Sequence, residues 1–375
     1  MKKFVYIVLL AIASHIYAQD STSVNNTENF TSQSINVLAK IELNSILACA
    51  PIIVNEQIFV TEKLGTVSCY DTVGKLIWKN DLRVEITSRP DIANENYIVG
   101  DSNGDIFVLD AKTGNQTQSI GIDGKISSDI ISFPYNGDIE LAIPKTSSSK
   151  DAFVFATDDG RLHCFDLETL QEYWTNKDAR DTVKGTPVYI DNKIFYNSAD
   201  GYLYCINAKN GLLIWRWKET AESSFYNSNI VIDRKTVFVV SNNNDIFGID
   251  LLLGKLSWQS NNIKVLPALE LSRDKKTLLS QTKDNRIILF STDQGKIVKA
   301  IKLAEPLDNA PIPILERENK LFFTRENRFF TIGQKNKEEL LFAYGNSRIN
   351  FTTQIDEGKF LTSFINGTLL IYNLR

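Results

Sequence analysis

Residues 199–215 read ADGYLYCINAKNGLLIW: a turn at Asp200-Gly201, an alternating stretch through Leu203, Cys205 and Ile206, a second turn over 207–211, and a closing indole at Trp215. Alternation with a period of two suits a short strand, and glycine supplies the positive φ that a tight turn demands. One such hairpin is marginal in water. The pattern recurs, however. With Gly201 as phase marker, its equivalents are Gly65, Gly104, Gly160, Asn244, Asn285, Asn327 and Gly367, asparagine being the other residue that tolerates a left-handed backbone. The spacings in chain order are 39, 56, 41, 43, 41, 42 and 40 residues, which defines eight repeats.

Six residues past the marker stands a residue that opens the next turn: Asp71, Asp110, Asp166, Asn207, Asp250, Ser291 and Asn373, with Gly333 the exception. Their side chains accept hydrogen bonds from the following amides. Four residues beyond that turn come Trp78, Trp174, Trp215 and Trp258, replaced in the weaker repeats by Gln118, Lys299 and Leu341. Pro51, Pro90, Pro187 and Pro313 open the strand upstream of each marker, with Pro267 displaced by a longer turn. Each repeat therefore predicts four short antiparallel strands, and a period of ~40 residues with that content is a β-propeller blade.

The predicted fold is all-β, a single eight-bladed β-propeller over 35–375. The last repeat stops after its third strand, while 35–43 (INVLAKIEL) precedes the first repeat without one of its own. The N-terminal strand is predicted to supply the outermost strand of the last blade and close the ring. The alternative, an open solenoid, leaves two uncapped ends. The long interval before Gly160 carries an insertion around 132–150 (SFPYNGDIELAIPKTSSSK), read as an extra hairpin followed by a serine-rich turn.

Residues 1–18 read as a signal peptide: Lys2 and Lys3, the ten apolar residues 4–13, then Ile16-Tyr17-Ala18 before Gln19. Ten apolar residues are too few for a helix across ~30 Å of hydrocarbon. The polar stretch 19–34 is predicted to be a flexible leader. The expected location is outside the cytoplasm, periplasmic or associated with the outer membrane. The first cysteine is Cys49, so no lipid-attachment cysteine follows the cleavage region.

The formal charge of −4 gives no basic excess, which argues against a nucleic-acid partner. Candidate chemistry is sparse. Of two histidines, His15 lies in the signal peptide and His163 lies inside a repeat strand, so a histidine metal site or a Ser-His-Asp triad is not available. Cys69, Cys164 and Cys205 share one repeat position and read as packing residues. Pairing of Cys164 with Cys205, or of Cys49 with Cys69, stays open. Asp158, Asp159 and Asp274 read as turn formers.

The run DG-x-L-x-x-x-D/N-x-x-x-G-x-x-x-W resembles the tryptophan-docking repeat of the pyrroloquinoline quinone (PQQ) type eight-bladed propellers, best at 160–174, 201–215 and 244–258. The resemblance implies that Trp78, Trp174, Trp215 and Trp258 wedge between neighbouring blades. The family holds quinoprotein dehydrogenases and non-enzymatic scaffolds such as the BamB-like branch, which serves outer-membrane protein assembly. A quinoprotein would need a Glu/Asn/Asp calcium site and a base, and its alcohol dehydrogenases carry adjacent cysteines. No residue-by-residue match to such a site is present. The expectation is thus a non-catalytic, monomeric interaction scaffold without cofactor, binding an envelope protein or peptide through loops on one face or through the central funnel. The alternative is a small PQQ- and calcium-dependent oxidoreductase acting on alcohols or sugars. The candidate partner loop is 219–229 (ETAESSFYNSN), where Phe225 and Tyr226 either project as anchors or tuck beneath the loop.

Overall fold

In the fourth repeat, Val188–Ile190, Lys193–Asn197, Leu203–Asn207 and Leu213–Trp217 form one antiparallel sheet in chain order. Alternation divides its side chains between two neighbours. Phe195, Leu203, Cys205 and Trp215 pack against the fifth repeat, while Ile194, Tyr196, Tyr204 and Ile206 pack against the third. Both faces are buried, so the strands read as nearly continuous apolar runs.

The computed structural model describes residues 35–135, 150–305, 315–317, 320–333 and 336–374. Eight four-stranded sheets result. Blades 1 to 7 span 52–81, 91–121, 131–176, 188–217, 231–260, 265–302 and 315–343. Blade 8 combines 349–374 with Ile35–Glu42. There are eight apolar clusters, one at each junction between consecutive blades. The cluster at the eighth junction joins Ile58, Val60 and Tyr70 of blade 1 to Leu361, Leu369 and Ile371 of blade 8, so the ring is closed. The N-terminal strand pairs antiparallel with Thr368–Leu374, from Ile35 opposite Leu374 to Glu42 opposite Thr368.

One local expectation is corrected. Pro267 lies inside the strand Val265–Leu271, where the register shifts between Val265 and Leu269. A bulge in a lengthened strand, not a longer turn, accommodates its missing amide. Residues 132–135 belong to blade 3's first strand, Ile131–Tyr135, and Lys150 opens its second, Lys150–Ala156. The two strands pair antiparallel, and Pro134–Asp151 and Tyr135–Lys150 prolong this hairpin beyond that of blade 4, where Ile190–Lys193 is the last pair. The rest of the insertion lies outside the described residues, as do the predicted signal peptide and leader. No helix among the described residues is long and apolar enough to cross a membrane.

An antiparallel meander sends its turns alternately to two faces. One face carries the turns between second and third strands together with the connections between blades. The opposite face carries the turns between first and second and between third and fourth strands.

Candidate functional site

The indole N–H groups of Trp78, Trp174, Trp215 and Trp258 each donate to a carbonyl of the next blade, at Ala111, Ala208, Leu251 and Thr292, over 2.9, 3.0, 3.1 and 2.9 Å. Gly114, Gly211, Gly254 and Gly295 lie against these rings with positive φ, and a β-carbon on any of them would meet indole carbon within 2.2–2.5 Å. The cross-strand partners of the four rings are Cys69, Cys164, Cys205 and Gly248. Where the tryptophan is absent, bulkier Val108 and Leu289 stand opposite Gln118 and Lys299. A small residue is thus required under each ring.

This packing removes the cysteines from chemistry. All four are free and buried. Burial pushes the thiols of Cys49 and Cys205 up to about 12 and that of Cys69 to about 11, and holds Cys164 well above its ordinary value. His163 is buried between Phe155 and Phe165, its Nδ1 2.8 Å from Glu172. Asp158, Asp159 and Asp274 sit in turns, where they accept from nearby amides or hydroxyls. A PQQ group held on calcium requires a converging donor set. Among the described residues no three His, Cys, Asp or Glu side chains converge on a metal position, and no two cysteines are adjacent in the chain.

The repeat is broken most clearly at 218–230, the longest fully described connection between blades. Of the two arrangements open for Phe225, the structure shows the tucked one: its ring is fully buried, 5.3 Å from Trp217 and 5.8 Å from Phe247 between ring centroids. It anchors the loop to the blade and is not available to a partner. Tyr226 is half-buried, and Asn227 is exposed beside it. The loop is also stitched to the second turn of blade 5. The Asn242 amide donates to the Ser224 carbonyl over 2.8 Å, the Ser224 amide donates to Asn242 Oδ1 over 3.2 Å, and Asn242 Nδ2 donates to the Glu222 carbonyl over 3.1 Å.

Between loop and turn lies a groove of about 220 Å³ lined by Ser224, Asn227, Val240, Ser241, Asn242, Asn244 and Pro267. It contains no ionisable side chain. Its hydroxyls and amides can exchange hydrogen bonds with a main chain, and its anchored backbone makes that lining pre-organised. Sequence reasoning reached the loop but missed the groove's other wall. The signal available was the run Ser241-Asn242-Asn243-Asn244, richer in amides than the equivalent turns of other repeats.

The family model described as outer membrane protein assembly factor BamB matches residues 25–119 and 138–264. The BamB of Moranella endobia (strain PCIT) is 19% identical over 270 residues, 69% of this chain and 66% of that protein. Across four BamB relatives, the matched part spans 36% to 66% of the relative's own length. Among solved structures, BamB from Moraxella catarrhalis superimposes with a TM-score of 0.70 at 13% identity, over 90% of this chain and 97% of that one. The quinohemoprotein alcohol dehydrogenase ADHIIG from Pseudomonas putida HK5 gives 0.67 at 11% identity, over 91% and 76%. At such identities the superpositions speak for the fold alone. With the family model matching well over half of the sequence, the chain belongs to the BamB family of PQQ-like repeat propellers.

Proposed function

We propose that this chain is a non-catalytic scaffold of the bacterial cell envelope that serves outer-membrane protein assembly, and that it holds a protein partner at the groove beside 218–230. The observation that carries the reading is the family match, whose named members are assembly factors. The groove supports the location. It sits on a pinned loop, has no ionisable side chain in its lining, and offers uncharged hydrogen-bonding side chains to an extended segment. The partner is a protein of the assembly apparatus, and the chain acts outside the cytoplasm.

Site-specific photo-crosslinking in living cells tests this. A photoreactive residue at Asn227, exposed at the groove, is expected to yield an adduct with an outer-membrane assembly protein. The same residue at Val73, exposed on the opposite face, is expected to yield none. Adducts from Val73 alone, or no adduct from Asn227, would overturn the reading.

A further inference from the structure

The junction between blades 2 and 3 departs from the docking rule. Gln118 stands at the tryptophan position, and its Nε2 donates over 3.0 Å to the carbonyl of Glu168, one residue beyond the carbonyl used elsewhere. Under it the usual turn glycine is replaced by Leu170, held at a φ of 54°. The preceding position holds Thr117, whereas blade 3 has Tyr173 there, stacked 4.1 Å from Tyr135. Smaller side chains leave a cavity of about 390 Å³ between the two blades, on the face opposite the groove.

The cavity is rich in acceptors. Asn96 spends its Nδ2 on the carbonyl of Asn94, and Gln118 spends its Nε2 on Glu168, so both amide oxygens are left to accept. The Leu167 carbonyl, whose counterparts at Ala111, Ala208, Leu251 and Thr292 receive an indole N–H, receives no indole here. The Asp151 carboxylate lines the same space, half-buried and without a hydrogen-bond donor among the described residues. Burial raises its pKa above the ordinary value. Lys150 lines the same space and forms no ion pair with Asp151, Asp166 or Glu168 among the described residues. An acceptor-lined chamber with an uncompensated carboxylate favours a ligand that brings several N–H donors and a positive charge.

We propose that this vacated docking position binds a guanidinium or alkylammonium group, with Asp151 as its counter-ion and the amide oxygens of Asn96 and Gln118 as its hydrogen-bond acceptors. Leu170 stands where a glycine elsewhere lets a ring lie against the turn, so a flat indole is disfavoured and a slender cation is admitted. The group comes either from a small organic amine or from an arginine or lysine side chain of another protein. This inference is independent of the groove and of any partner bound there.

Titration calorimetry of the purified protein with agmatine and with the capped tripeptide Gly-Arg-Gly tests it. Saturable binding of agmatine at least as tight as that of the peptide identifies a free amine as the ligand, and tighter binding of the peptide identifies a protein side chain. D151N is expected to weaken either by about tenfold to a hundredfold. The triple variant V108C/Q118W/L170G rebuilds the docking arrangement of the other junctions, small residue under the ring included; it is expected to abolish binding while raising the melting temperature. E222Q, beside the groove, is expected to bind like the parent. No binding below ~10 mM by either compound, or unchanged affinity in both D151N and V108C/Q118W/L170G, overturns the proposal.

Discussion

Gly295 lies directly against the indole of Trp258 from the preceding blade: a β-carbon at Gly295 would fall 2.2 Å from ring carbon Cε3. The same ring donates its N–H to the Thr292 carbonyl over 2.9 Å, so ring, glycine and carbonyl form one unit. Gly295→Ala must displace the ring and place a side chain at a φ of 64°. The expected cost is about 1–3 kcal/mol, read as a lower denaturation midpoint. Trp258→Ala loses the ring and is expected to cost about 3–5 kcal/mol. Because the clash disappears with the ring, the double variant should be more stable than the sum of the single effects predicts. Strict additivity would show that the two residues are not coupled.

Blade 7 contains a buried cation. Arg325 reaches Glu338 over 3.2 Å, donates to the Glu305 carbonyl over 2.9 Å and lies 4.9 Å from the centroid of Phe330. Glu338→Gln removes the less exposed of the two carboxylates beside the guanidinium, Glu305 remaining at 3.5 Å, and is expected to cost about 1–3 kcal/mol. Replacing both partners by apolar residues, as in R325M/E338L, removes the desolvated charges together and is expected to recover most of that loss. Urea denaturation of the three proteins checks the order: E338Q lowest, with the double variant closer to the parent.

Much of this was legible because the repeat writes each structural need several times. Turn glycines, tryptophans and turn-opening aspartates all recur at fixed offsets, and local pattern reading works when every copy points to the same blade. Strand closure was legible from what the ends lack, since 373–375 is missing a fourth strand and Ile35–Glu42 is one strand in excess. Features that arise from contacts between blades were not legible. Phe225 looks like a loop aromatic in sequence, but Trp217 and Phe247 arrive from separate strands to enclose it. Gln118 reads as a weak repeat, and the cavity it lines is formed only when Asp151 and Leu167 arrive from another blade.

The thiols offer a direct check of core integrity. Thiolate is the reactive form, and burial both raises the pKa of each cysteine and blocks access. A disulfide reagent at about pH 8, half a unit below the free-cysteine value, should leave the native protein unmodified over hours. All four thiols should react in denaturant. Prompt reaction of even one in the native state would show a blade junction that opens readily.

Asp166 opens the third-to-fourth strand turn of blade 3. Burial disfavours its charged form, but hydrogen bonds from the Tyr173 hydroxyl, the Thr169 amide and hydroxyl, and the Glu168 amide outweigh this and lower its pKa. A carboxylate with a lowered folded-state pKa contributes stability above its unfolded pKa of ~3.9, and that contribution is lost as pH falls through the lower folded value. Asp166→Asn should therefore lower the melting temperature most above about pH 4, with the gap to the parent narrowing in more acid solution. A gap that stays constant from neutral pH to pH ~2 would show that the ionised form gains nothing from these bonds.

Ring closure rests on eight residues at the N-terminal side of the described chain. Ile35–Glu42 pairs along Thr368–Leu374, and Ala39 and Ile41 pack at the junction of blades 8 and 1. Gly74 of blade 1 lies against Ala39, where a β-carbon would come within 2.3 Å of the alanine methyl, so the N-terminal strand replaces the indole wedge with a close backbone contact. Deleting this strand exposes the edge of Thr368–Leu374 and part of an apolar cluster, and is expected to yield a less stable protein prone to association. Because the lost strand is not covalently continuous with the sheet it completes, a synthetic peptide INVLAKIE supplied to the truncated protein should dock in its place. It should raise the melting temperature in a concentration-dependent manner. An Ala39→Trp peptide, too large for the space above Gly74, should fail to do so. Equal rescue by both peptides would show that the strand is held by backbone pairing alone and that the Gly74 contact does not select it.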